Sequence, residues 1–126
     1  MAVSKAKIID YILSKLFTIC PYIDTAVVCD YDGLLMGNMS RVPFEAETVA
    51  AISSSVFHNA DRVVSELKEG NLENIIIIGE DGYVLVIKVL DFAMFAVAST
   101  DKTKLIESYG PAYKAAMAIS LLKKVV

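Results

Sequence analysis

The sequence predicts an α/β fold of the layered α+β type: a single antiparallel five-stranded sheet held between helices. Helix-period and strand-like segments alternate in the order helix–β–β–helix–β–β–β–helix. Asp32-Gly33 and Asp81-Gly82 mark tight turns between consecutive strand-like runs, which makes those runs hairpins. The runs 75–78 and 84–87 are apolar on both faces and therefore need cover on both sides of the sheet. The first and last helices are accordingly placed on one face and the long middle helix on the other.

Each element has its own signal. In residues 4–18, Ile8, Ile9, Ile12, Leu13, Leu16 and Phe17 recur at the spacing of an amphipathic helix, with Ser4 as its N-cap. Pro21 stops that helix and biases Cys20 to extended backbone. A short apolar run at 26–30 is followed by the turn Tyr31-Asp32-Gly33 and a returning strand at 34–39. The long helix is expected over 45–68, with Val49, Ile52, Val56, Ala60, Val63, Val64 and Leu67 as its core stripe and Gly70-Asn71 as its end. A three-strand meander follows at 74–79, 83–89 and 92–99, its second turn at Leu90-Asp91 having no glycine. After a polar stretch, Pro111 suits the first turn of a last helix reaching about residue 124, because its missing N–H would be unpaired there anyway.

With 126 residues the chain fits one domain, 1–126, without repeats or linkers. Its apolar fraction of 56% exceeds the ~45–50% of ordinary globular proteins. Such a small chain has difficulty hiding that much apolar surface internally, which favours a subunit interface over a merely dense core. The net charge is −3, with only two arginines and no basic cluster, so the composition argues against nucleic-acid binding. No run approaches the ~18–20 uninterrupted apolar residues of a membrane span, and charges within residues 1–16 break up any secretory signal. Cys20 and Cys29 lack metal or redox spacing and read as small buried hydrophobes in a reducing compartment. A cytoplasmic location is expected.

The order of elements, with Tyr31-Asp32-Gly33-Leu34-Leu35 in the first hairpin, resembles the roadblock/dynein light chain family. The alanine- and serine-rich middle helix, the isoleucine strand, the Asp81-Gly82 turn and a strand ending in Ser99-Thr100-Asp101 strengthen the resemblance. The related longin domain begins directly with a strand, so the leading helix favours the roadblock type, a profilin-like layer fold. The resemblance implies homodimers or heterodimers with a related roadblock protein, acting as scaffolds or regulators of Ras-like small GTPases or as light chains of motor complexes. It implies no catalytic machinery and no cofactor.

Two features point independently to self-association. Behind the expected core stripe lie Ala51, Ser54, Ser55, His58, Arg62 and Ser65, where an ordinary solvated face would carry lysine and glutamate. Small residues there let a second backbone approach, although a polar exposed face of poor helix formers is the alternative. The isoleucine run, if it lies at a sheet edge, lacks lysine or proline protection and invites pairing. The expected dimer surface is Ala51, Ser55, His58, Arg62, Ile76 and Ile78; Ser54, Asp61 and Ser65 are the expected exposed partner contacts.

Catalytic and metal chemistry find little support. His58 is the only histidine and reads as part of a polar cluster with Asp61 and Arg62 on one helix side. The Asp30–Gly33 segment lacks the remaining ligands of a calcium loop, and no phosphate-binding GxxxxGK[ST] motif is present. The chain is therefore expected to be a non-catalytic scaffold for a separate GTPase. A structural light chain without nucleotide switching is the alternative, and a ligand-sensing domain of profilin-like shape is a third.

Overall fold

The structure is a computed structural model that describes residues 3–124 of the chain; the side chain of Lys124 and residues 1–2 and 125–126 lie outside the description. Helix α1 (Lys5–Ile19) begins at Ser4, whose hydroxyl accepts from the Lys7 amide at 3.2 Å. It buries Ile9, Leu13, Leu16 and Phe17, four members of the expected stripe. Strands β1 (Thr25–Asp30) and β2 (Leu35–Ser40) form the first hairpin. Asp30 organises its turn: the carboxylate accepts from the Asp32 and Leu34 amides, both at 2.9 Å.

Helix α2 (Ala46–Glu66) ends earlier than the glycine at 70 suggests. Lys68 takes a left-handed φ of 58°, its amide donates to the Ser65 carbonyl, and the Glu69 amide donates to the Val64 carbonyl. That is a Schellman closure with lysine in the place usually taken by glycine. Strands β3 (Asn74–Gly79), β4 (Gly82–Val89) and β5 (Ala93–Ser99) complete the meander. The sheet order is β2-β1-β5-β4-β3, antiparallel throughout, so the isoleucine strand is an edge.

Helix α3 (Leu105–Ser120) departs from expectation. It starts about one and a half turns before Pro111, after a short 3₁₀ segment (Lys102–Lys104) capped by Asp101, so the proline lies inside the helix. Tertiary contacts outweigh the lost amide. The fully buried Ser108 donates to the Leu105 carbonyl and accepts from the Tyr83 hydroxyl at 2.8 Å, pinning the early turns to β4.

Two cores sandwich the sheet. On one face α1 and α3 pack with Ala26, Val28, Leu85, Ile87, Phe95 and Val97. On the other, Ala50 and Phe57 of α2 meet Val27, Cys29, Val86, Met94 and Ala96. Alternation along β4 and β5 sends successive side chains to opposite cores.

Candidate interaction surface

Strand β3 hydrogen-bonds β4 on one side only, which leaves the outward backbone groups of its other side unpaired by the sheet. Its register places Ile75 and Ile77 opposite Val86 and Val84, on the α2 face. Ile76 and Ile78 lie opposite Leu85 and Tyr83, on the α1–α3 face. They remain 53% and 63% exposed. No lysine or proline protects the strand.

Helix α2 is turned relative to the expected orientation. Ala50, Ser54 and Phe57 are the buried positions, while Ile52, Val63 and Leu67 of the expected core stripe stand exposed. The reason is the first hairpin. A Cβ on Gly33 would come within 3.1 Å of both the Ala51 Cα and the Ser54 Cβ, so the small residues of α2 accept the chain's own turn. The Ser54 hydroxyl donates to the Tyr31 carbonyl at 2.7 Å, and His58 Nε2 lies 2.7 Å from the same oxygen. The imidazole donates there, because a carbonyl can only accept. Tyr31 also packs on Phe57, with ring centroids 5.6 Å apart.

This corrects one expectation directly: Ser54 is buried and bonded, not an exposed partner contact. Asp61 is half-buried and accepts from the Leu72 amide at 3.2 Å, tying the helix to the loop before β3. Its expected cluster with His58 and Arg62 is not formed; His58 turns to Tyr31 instead. Ala51, Ser55, His58, Arg62 and Ser65 are exposed. What residue spacing missed is the exposed apolar flank of α2, Ile52, Val63 and Leu67. The same 3/4 spacing signals a core stripe and a surface stripe alike.

Arg41 is occupied as well. Its Nε and Nη2 donate to the carbonyls of Ile23 and Phe17 at 3.0 and 2.7 Å, and its guanidinium lies over the Phe17 ring. It holds the end of α1 against the first hairpin. Among the described residues no cluster of three metal-binding side chains occurs, and no helix is long and apolar enough to cross a membrane. Burial pushes the Tyr31 phenol above its ordinary range, with the Asp91 and Asp61 carboxylates adding to the shift.

Residues 9–99 match the model of the Roadblock/LC7 domain. No curated protein matches the chain significantly in sequence. Among solved structures, an MglB with a tetrameric arrangement is 16% identical, with 98% of this chain and 93% of that one covered and a TM-score of 0.87. The gliding protein MglB from Thermus thermophilus is 13% identical, with 100% and 96% covered and a TM-score of 0.86. A Roadblock/LC7 domain from Streptomyces avermitilis is 18% identical over 91% and 94% of the two chains, with a TM-score of 0.74.

Proposed function

From the premise that this chain belongs to the Roadblock/LC7 domain family, we propose that it works as a non-catalytic dimeric scaffold or regulator of a Ras-like small GTPase. The observation that carries the dimer is the bare β3 edge with Ile76 and Ile78 exposed beside it. Pairing β3 with the same strand of a second copy satisfies the outward backbone groups and continues the sheet across a twofold axis. The apolar flank Ile52, Val63 and Leu67 then joins the interface, with Ser55 and Arg62 at its margin. A related roadblock protein presenting the same edge fits equally. The tetrameric arrangement reported for one MglB supports self-association in proteins of this fold.

The GTPase reading rests on the family, and Ser65 with the exposed ends of α2 is the surface offered to it. Light scattering tests the assembly: the wild type should have the mass of a dimer and Ile76→Lys that of a monomer. A monomeric wild type overturns the dimer. Capture of purified Ras-like GTPases loaded with GTP or GDP tests the partner. Nucleotide-dependent retention is the expected result, and nucleotide-indifferent retention of cytoskeletal or motor components would make the chain a structural light chain instead.

A further inference from the structure

The charges of this acidic chain are unevenly distributed. Helix α1 and residues 102–123 hold seven lysines against Asp10 and Glu107, whereas residues 20–101 hold thirteen carboxylates against Arg41, Arg62, Lys68 and Lys88. The α1–α3 layer is thus basic, and the remainder of the molecule is strongly acidic. Within that layer a groove of about 320 Å³ runs between the two helices. Its bottom is formed by Leu16, Ala115 and Ala118, small or apolar side chains that keep the two helix backbones within reach of a third. Tyr11 and Ile19 stand at its rim, 64% and 65% exposed. The charged residues lining it are Lys15 on α1 and Lys114 on α3, and the Lys15 ammonium is held over the Tyr11 ring, 5.7 Å from its centroid. Opposite walls therefore each present a cation above an apolar trough, and no carboxylate lines it.

We propose that this groove docks one acidic amphipathic helix of a partner protein, its apolar stripe against Tyr11, Ile19 and Ala118 and its flanking carboxylates against Lys15 and Lys114. Helix-in-groove recognition needs an apolar trough for anchors at 3/4 spacing, and the paired lysines select the sign of the flanking charge. The concave shape favours a rod over a plane. This site lies on the face opposite α2 and does not depend on the GTPase reading.

The test uses the full chain, isotopically labelled, and a panel of synthetic helical peptides of about 15–18 residues. Each peptide carries leucine and alanine on one face and flanking glutamates; a matched set carries lysine in place of glutamate. Saturable amide shifts confined to Tyr11–Ile19 and Pro111–Ala118, seen with the glutamate set, are expected. Lys15→Glu/Lys114→Glu should weaken that binding by about tenfold or more, and should bind the lysine set better than the wild type does. Lys15→Gln/Lys114→Gln gives an intermediate loss, while Lys68→Glu, away from the groove, leaves affinity unchanged; circular dichroism checks that each variant folds. Absence of saturable binding by any glutamate peptide, shifts mapping elsewhere, or affinity indifferent to the charge reversals would overturn the proposal. So would binding to phosphatidylserine vesicles without peptide binding.

Discussion

The Tyr31 hydroxyl donates to the Leu90 carbonyl at 2.9 Å, fastening the turn of the first hairpin to the turn between β4 and β5. Leu90 itself has a left-handed φ of 51°, a conformation that costs a leucine about 1 kcal/mol or more. The Tyr31 hydroxyl holds this turn, while its carbonyl receives Ser54 and His58 of α2. One residue thus joins the helix to two turns.

Tyr31→Phe removes the hydroxyl and keeps the ring against Phe57. The expected loss is about 0.5–1 kcal/mol, because the carbonyl belongs to the exposed Leu90 and regains a donor from water. Urea unfolding measures it as a lower midpoint at unchanged slope. A midpoint equal to the wild type's would show that Leu90 does not need this contact.

Ser54→Ala and Ser65→Ala separate structure from surface on the same helix. Ser54 is buried and its hydroxyl is bonded, so its loss should cost about 1 kcal/mol by leaving the Tyr31 carbonyl one donor short. Ser65 is exposed, and alanine is the better helix former, so Ser65→Ala should lie within about 0.5 kcal/mol of wild type. Equal effects at the two positions would contradict the rotation of α2 described above.

Gly33 and Gly70 make a second matched pair. Both have positive φ, 84° and 92°, but a Cβ at Gly33 meets Ala51 and Ser54 at 3.1 Å while one at Gly70 meets nothing within 4 Å. Gly70→Ala should cost about 1 kcal/mol of backbone strain alone. Gly33→Ala adds displacement of α2 from the hairpin, for a total of about 2–4 kcal/mol. Chemical denaturation of the two variants side by side reads the difference directly.

Burial pushes the Cys29 thiol up to about 11, and the neighbouring Asp30 carboxylate pushes in the same direction. The folded state therefore favours the neutral thiol. Its contribution to stability is complete below the ordinary thiol value, 9.0 here, and is lost as pH rises toward about 11. Denaturant midpoints should fall over that window. The Tyr31 and Tyr83 phenols, also raised by burial, add to the loss at still higher pH. Cys29→Ala, though less stable at neutral pH, should show a shallower alkaline decline. A decline as steep as the wild type's would assign the effect to the tyrosines.

Local pattern alone carried a large part of the architecture. The Ser4 cap, the stripe of α1, the Asp30–Gly33 turn and the unbroken isoleucine run each depend on neighbours within a few residues, so they are legible without a fold. The edge position of β3 was only half legible: the two end strands of a meander are equivalent by local pattern, and β3 is left outside because β1 pairs with β5 instead. The start of α3 was not legible. Pro111 has a strong local preference for a first turn, and only the Tyr83–Ser108 bond and the burial of Ser108 and Ala112 carry the helix past it.

What the sequence by itself determined is the set of elements, their order and the family, because hydrophobic period and turn chemistry are short-range properties. Which side of α2 faces inward was decided only by the tertiary structure. Its apolar stripe and its small-residue stripe are both suited to packing, and the choice fell to Gly33, whose missing side chain lets the hairpin close on Ala51 and Ser54. That contact joins residues about twenty positions apart, and no periodicity within one helix encodes it.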